Sequence, residues 1–167
     1  MRPLLALLFA LAASSAAERP VFFAMDTAAK LPPAECAAAL AELGYAGLGG
    51  TPATAKAYAA ALAERKLTLF NGYHVTSFAH ADAELPADLV KAVDGLAGTG
   101  GTLWLGIRAV QLPVGIPLPP EYGDTVVVPK LRQLMAYAKP KGVKVSLYPH
   151  TGFWAAQFEA CLRVASK

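Results

Sequence analysis

Charged residues are scarce in this chain, and neither sign forms a cluster. Lysine, arginine, aspartate and glutamate together make up 16% of the 167 residues, and the formal net charge is +3. Nucleic-acid binding normally needs a basic patch or stripe that neutralises phosphates. We therefore do not expect nucleic acid as a partner. With 55% hydrophobic residues, the chain is too apolar for a disordered protein and is predicted to be globular.

Cysteine and metal-binding spacings are also rare. Cys36 and Cys161 lie in different predicted helices, so we interpret them as buried thiols, although a disulfide is compatible with an exported protein. No Cys-x-x-Cys or His-x-x-x-His spacing indicates a structural zinc site. The glycines at 49–50 and 98–101 belong to no phosphate-binding motif, so we interpret them as turns.

The first 17 residues have the pattern of a secretory signal peptide. Arg2 gives a positive start, residues 4–13 are an unbroken apolar run, and residues 15–17 are small. A membrane-spanning helix needs about 20 apolar residues. We therefore predict a signal peptide over residues 1–17, no membrane span after its cleavage, and a secreted or periplasmic domain over residues 18–167.

Five short apolar runs alternate with five amphipathic segments. The runs predict strands at 21–26, 46–49, 67–73, 103–107 and 144–148. Helices are predicted between and after them, beginning near Pro33, Thr51, Pro86, Val128 and Phe158. Such alternation requires a parallel sheet covered by helices. The proline-rich segment 109–124 predicts a long irregular loop, a kind of loop that often carries function.

Side-chain alternation divides the fourth strand into two sets. Leu103, Leu105 and Ile107 are expected to face the helices, because successive side chains of a strand point to opposite faces. Trp104 and Arg108 then point the other way, as side chains in the lumen of a barrel do. The fifth strand shows the same division, and Pro149 ends its ladder.

Two segments, together with the order of the elements, carry a resemblance to a known family. They are Leu43-Gly44-Tyr45-Ala46-Gly47-Leu48 and Leu147-Tyr148-Pro149-His150-Thr151-Gly152. Over residues 21–167 the chain resembles the xylose-isomerase-like TIM-barrel family of sugar phosphate isomerases and epimerases. The resemblance implies an α/β fold that is an incomplete TIM barrel of about five βα units, since a whole barrel has eight units and about 250 residues. The alternative is a flavodoxin-like doubly wound sheet, which differs in strand order.

The resemblance also implies an activity and a ligand. The activity is proton transfer next to the carbonyl of a sugar or sugar derivative, supported in a complete barrel by a divalent metal. Family members often carry glutamate at the places of Gly49 and Tyr148, the second as a metal ligand, so the ligand set is incomplete here. The domain is therefore expected to be truncated and inactive alone, and its open barrel edges favour self-association.

Two other activities are compatible with the same barrel. One is a non-catalytic carbohydrate-binding relative. The other is an endonuclease-IV-like phosphodiesterase, which we rank last because its many metal ligands and its basic groove are not visible in the sequence.

Two histidines are candidates for acid–base catalysis. His74 and His150 are predicted at the carboxyl ends of the third and fifth strands, the edge where parallel barrels carry their ligands. Because imidazole titrates near neutrality, each could be a general base, and each could also be a metal ligand or donate a hydrogen bond to a sugar. The alternative for each is a hydrogen-bonded polar side chain at the entrance to a loop. His80 lies in a polar loop and is expected to be solvated.

Four further residues are candidates for substrate binding. Asp26 could hold a substrate hydroxyl or cap a turn, and Arg108 could clamp an anionic group or form a salt bridge with Asp26 or Glu121. Tyr148 could offer its hydroxyl or pack in a lumen. Trp154, with its neighbour Phe153, could stack on a sugar or belong to the core.

Overall fold

The computed structural model describes residues 21–25, 30–108, 121–156 and 158–167. The predicted signal peptide, Asp26 and most of the proline-rich segment lie outside this part. Five strands are present: β1 (Phe23–Ala24), β2 (Gly47–Gly50), β3 (Thr68–Ser77), β4 (Thr102–Arg108) and β5 (Lys144–Leu147).

Five α-helices separate and follow these strands. They are α1 (Pro33–Glu42), α2 (Ala55–Glu64), α3 (Ala87–Leu96), α4 (Val128–Ala138) and α5 (Phe158–Ala165). Prolines at the start of α1 and α4 suit positions whose N–H groups have no partner within the helix. A π-helical turn, Gly123–Val127, leads directly into α4, so the end of the predicted irregular loop is helical.

The strands form one parallel sheet in the order β1-β2-β3-β4-β5. The alternation of strands and helices predicted from the sequence is therefore confirmed, and the chain is an α/β protein. Strands that are consecutive in the chain are also neighbours in the sheet. This order is expected for consecutive units of a barrel and differs from the shuffled order of a flavodoxin-like sheet.

The core lies between the sheet and the helices. Leu103, Leu105 and Ile107 are at most 1% exposed, as the alternation of β4 predicted, and they pack in one cluster with helical residues such as Leu62 and Leu134. Burying a side chain of this size contributes about 1.5–3 kcal/mol. The helix-facing side of the sheet is thus the stabilising layer.

The bounds of every strand differ somewhat from the predicted ones, β1 being shorter and most others shifted by one residue, and two differences are larger. Strand β3 continues to Ser77 because its backbone pairs with β4 as far as Arg108, so His74 lies inside the strand and not at its end. Helix α2 begins at Ala55, four residues after the predicted start near Thr51. Pairing with a long neighbouring strand and local turn geometry decide such boundaries, and neither is visible in the hydrophobic pattern.

Glycine is required where β2 passes β3. A Cβ at position 47 would lie 1.9 Å from the carbonyl oxygen of Thr68. The next residues of β2 carry an irregularity, since the register shifts between Leu48 and Gly49. The close approach of the β2 and β3 backbones and the shift in their register together decide which β3 side chains lie beside the carboxyl end of β2.

The two cysteines are buried, as expected. Burial raises the pKa of both the Cys36 and the Cys161 thiols. Separately, no helix within the described residues is both long and apolar enough to cross a membrane.

Candidate functional site

A small pocket lies on the sheet face that points away from the helices, beside the carboxyl ends of β1, β2 and β5 and the middle part of the longer strands β3 and β4. Its volume is about 160 Å³. It is lined by Met25, Gly49, Gly50, Asn71, Tyr73, Trp104, Tyr148 and His150. These residues come from β2, β3 and β4 and from the segments after β1 and β5, so residues distant in the sequence meet because the strands are parallel.

The register of the sheet places the aromatic side chains together. Tyr73 pairs with Trp104, and Trp104 pairs with Ser146, two residues before Tyr148. The amide of Tyr148 donates to the carbonyl of Leu105 at 2.9 Å, which continues the ladder beyond β5. Paired residues in adjacent strands project to the same face, so the three rings converge on the pocket.

Five aromatic rings form a continuous layer on this side of the sheet, which we call the aromatic face: Phe23, Phe70, Tyr73, Trp104 and Tyr148. The Trp104 and Tyr148 rings are stacked, with centroids 5.6 Å apart and planes inclined by 11°. Tyr73 meets Tyr148 edge to face at 5.3 Å, and Phe23 lies 4.6 Å from Phe70. Such a surface offers broad apolar contact with few polar atoms.

His150 stands at the mouth of the pocket, just beyond Pro149. Its ring lies 4.7 Å from the Phe153 ring and 5.9 Å from that of Tyr148. Its Nδ1 is 2.8 Å from the carbonyl oxygen of Thr151. A carbonyl oxygen can only accept, so Nδ1 is the donor, and in the neutral ring Nε2 then carries the lone pair. This tautomer suits a proton acceptor.

Arg108 projects from the end of β4 on the same side as Trp104. Its guanidinium lies over the Phe153 ring, 5.5 Å from the centroid, in a cation–π contact. Phe153 in turn rests on Gly106, where a Cβ would lie 2.5 Å from its Cε2 atom. Arg108 therefore borders the site beside His150 but does not line the pocket.

His74 lies on the opposite face of the sheet, so the expectation that it shares one rim with His150 is wrong. It pairs with Leu105, whose side chain is buried among the helices. Its Nε2 is 3.4 Å from Asp88 Oδ2 in α3. Burial lowers the pKa of His74, and the nearby Asp88 carboxylate only partly opposes that effect. The alternation of β3 side chains separates the two histidines.

Trp154 is also directed away from the pocket. Its amide donates to the carbonyl of Ile107 at 2.9 Å, and its ring meets that of Tyr122 at 5.7 Å. The ring also lies against Gly123, where a Cβ would be 2.7 Å from Cζ2. This position matches the packing alternative given for Trp154. Asp26 lies outside the described residues.

Asn71, like Met25 and Tyr73, lines the pocket but was not among the predicted site residues. It is 2% exposed, and its Oδ1 has no hydrogen-bond partner among the described residues. A buried acceptor without a partner costs about 1–3 kcal/mol. The only signal in the sequence was a polar residue within an apolar strand, in Leu69-Phe70-Asn71-Gly72, which does not tell which face the amide would occupy.

The described pocket residues do not fit a catalytic divalent metal. Such ions are generally held by three or more protein ligands. No group of three or more histidine, cysteine, aspartate or glutamate side chains comes together in the described part of the chain. Gly49 and Tyr148, at the places where the resembled family often has glutamate, supply no carboxylate.

Comparisons with known proteins give one informative similarity. No protein-family model matches the chain, and no curated protein matches it. Among solved structures, the fold is similar to the apo crystal structure of 3-keto-D-glucoside 4-epimerase from E. coli, with a TM-score of 0.58 and 18% sequence identity. The match covers 80% of this chain and 58% of the epimerase chain, so this chain spans little more than half of that protein's length. At this identity the similarity shows the fold alone.

Proposed function

We propose that this chain is a sugar isomerase or epimerase-type domain that forms part of a TIM barrel and binds a sugar or sugar derivative on its aromatic face. The observation that carries the proposal is the pocket itself. Tyr73, Trp104 and Tyr148 line it beside the carboxyl ends of β1, β2 and β5, with His150 at its mouth. Sugar rings have apolar C–H faces that pack on aromatic rings, and TIM-barrel sites lie at this end of the strands.

The barrel assignment rests on three agreeing observations. The strands lie in sequential parallel order, and the helices pack on one face. The residues of the opposite face are aromatic, as in a filled lumen. The structurally similar protein acts on a sugar derivative according to its name.

His150 is the proposed proton-transfer or substrate-positioning group. Removal of a proton from a carbon next to a carbonyl leaves the electron pair as an enolate. Protonation of the other face of that carbon, by solvent or by a second group, gives an epimer. Return of the proton by the same group to the former carbonyl carbon, while the hydroxyl proton on the first carbon passes to the former carbonyl oxygen, gives an isomer. With Nδ1 bound to Thr151, the free Nε2 can accept and return the proton.

A non-catalytic carbohydrate-binding domain is the second candidate. It is favoured by Tyr148, which stands at the place where members of the resembled family often carry glutamate and which supplies no carboxylate. The same aromatic face would bind a sugar without proton transfer. The two candidates differ in whether a bound sugar exchanges carbon-bound hydrogen with solvent.

Solvent-exchange NMR tests the proposal. The full chain is incubated with D-fructose in deuterated water, and loss of the proton signals next to the carbonyl is followed. Although an incomplete barrel is expected to be inactive in overall turnover, exchange needs only a bound sugar and the proton-transfer group, and the described pocket residues are together in this chain. We therefore expect slow exchange by the wild type, and a reduction of roughly 10²–10⁴-fold in His150→Ala, as for a lost acid–base group. His80→Ala is the matched control, because His80 is exposed and does not line the pocket.

Two results would redirect the assignment. Sugar binding without exchange would select the carbohydrate-binding candidate. Exchange at an unchanged rate in His150→Ala, with the fold intact by circular dichroism, would remove His150 from the chemistry.

A further inference from the structure

The floor of the pocket contains an acceptor that the protein leaves unused. Asn71 Oδ1 is buried and has no hydrogen-bond partner among the described residues, although Asn71 lines the pocket. Buried polar atoms are usually hydrogen-bonded, so an exception of this kind calls for a missing partner. A ligand in the pocket can supply that partner.

Gly49 is what allows the amide to occupy this position. A Cβ on Gly49 would lie 2.3 Å from Asn71 Oδ1 and 3.3 Å from its Cγ. Any side chain at position 49 would therefore displace the carboxamide. Gly49 in β2 therefore leaves the space that the side-chain carbonyl oxygen of Asn71 in β3 occupies.

The described part of the pocket lining carries no fixed charge. None of the described residues that line it is lysine, arginine, aspartate or glutamate. Phosphate recognition normally uses arginine, lysine or a helix N-terminus. The described lining contains neither arginine nor lysine, so it suits an uncharged part of a ligand.

We propose that Asn71 is a specificity-determining residue whose Oδ1 accepts a hydrogen bond from a hydroxyl of a neutral, unphosphorylated monosaccharide ring. The apolar face of that ring stacks on Trp104 and Tyr148. The pocket, at about 160 Å³, is smaller than the roughly 300–1,000 Å³ typical of drug-sized ligands, which favours a single ring over an oligosaccharide. The inference rests on the proposed function, since it assumes that this pocket is the sugar site.

Calorimetric titration tests the choice of ligand. The full chain is titrated with D-glucose, D-fructose and the 6-phosphate of each. We expect at least one free sugar to bind, and its 6-phosphate to bind roughly tenfold more weakly or not at all. Equal or tighter binding of the phosphate esters would overturn the neutral-ligand inference while leaving the sugar-binding proposal intact. Absence of binding by all four compounds would count against both.

Substitution of Asn71 separates a binding role from a structural one. Asn71→Leu removes the unpaired acceptor while roughly keeping the volume. We expect a higher midpoint of thermal unfolding together with roughly tenfold weaker binding of the free sugar, the factor given by one lost hydrogen bond. Thr76→Val is the matched control, because Thr76 is a buried polar residue of the same strand on the helix-facing side. It should leave sugar affinity unchanged.

A second pair of variants tests the link to Gly49. Gly49→Ala should weaken sugar binding as much as Asn71→Leu does, because the new Cβ displaces the amide. The Gly49→Ala/Asn71→Ala double variant should regain thermal stability but not affinity. If Asn71→Leu binds sugar as the wild type does, or if it loses stability as a structural asparagine would, Asn71 has no role in specificity.

Discussion

Trp104 and Tyr148 stack face to face between neighbouring strands, with ring centroids 5.6 Å apart and an angle of 11° between their planes. Trp104 is fixed by the backbone pairing of β4, and Tyr148 is held by the hydrogen bond that its backbone amide donates to the carbonyl oxygen of Leu105. The stack is therefore positioned by backbone pairing on both sides. A ligand that contacts one ring will meet a surface already oriented by the other.

Removing the Tyr148 ring should cost stability, whereas removing its hydroxyl should not. We expect Tyr148→Leu to lose about 0.5–1.5 kcal/mol from the aromatic pair beyond the change in buried area. Tyr148→Phe keeps the ring and should stay close to wild type. Urea unfolding measures the free energy of unfolding of both variants. The chain has two tryptophans, so a Trp154→Phe background makes the fluorescence report on Trp104 alone. Equal losses in the two variants would mean that the hydroxyl, not the stack, is stabilising.

A methyl group at position 106 should disturb the neighbourhood of Arg108. The Cβ of Gly106→Ala would lie 2.5 Å from Phe153 Cε2, so the ring must move. We expect a loss of about 1–3 kcal/mol in the free energy of unfolding, as for other overpacked sites. In a Phe153→Ala background the same substitution should cost little, and a double-mutant cycle measures the coupling. Additive effects would show that Phe153 does not rest on Gly106.

The environment of His74 predicts a stability that depends on pH. Its pKa is lowered in the folded state, chiefly by burial, below an ordinary value of 6.5. Between the lowered pKa and 6.5 the unfolded chain binds more protons, so stability is full above 6.5 and falls as the pH is lowered through this window. Each pKa unit between the two states corresponds to about 1.4 kcal/mol.

Replacement of His74 by glutamine should remove that contribution. Unfolding free energies of His74→Gln measured between neutral and mildly acidic pH should decline less than those of the wild type. His80→Gln is the control, because His80 is exposed. A wild type that becomes more stable on acidification through this window would contradict the assigned direction.

The outer side of β5 is expected to mediate self-association. Within the described residues β5 pairs with β4 alone, and a groove of about 620 Å³ lies beside it between α4 and α5. Met135, Phe158 and Leu162 on these helices are 43%, 61% and 53% exposed. An open strand edge beside an exposed apolar surface favours association.

Light scattering coupled to size-exclusion chromatography tests this expectation. We expect the mass of the wild type to rise with concentration, and the Phe158→Lys/Leu162→Lys variant to associate less. Leu43→Lys is the control, since Leu43 is 71% exposed and lies outside the groove. A wild-type monomer at all concentrations that binds no hydrophobic dye would refute the prediction.

The pattern of apolar residues along the sequence was enough to determine the order of strands and helices and which β4 side chains face the helices. Helix α4 begins at Val128, where its start was predicted. Leu103 and Ile107 face the helices because alternation is a property of every strand. The place of His150 beyond β5 likewise follows from Pro149, which cannot continue the ladder. The signal peptide over residues 1–17 stays a prediction.

The tertiary structure alone decided which polar residues share the pocket. Strand β3 continues beyond its apolar run and includes His74. Pairing with β4 places His74 opposite Leu105, so its side chain points to the helix side of the sheet, towards α3. Asn71 reaches the pocket because the register shifts beside Gly49, and an acceptor without a partner can be recognised only once all its neighbours are in place. Hydrophobic periodicity reports which face is buried, whereas the site depends on contacts between strands that are distant in the sequence.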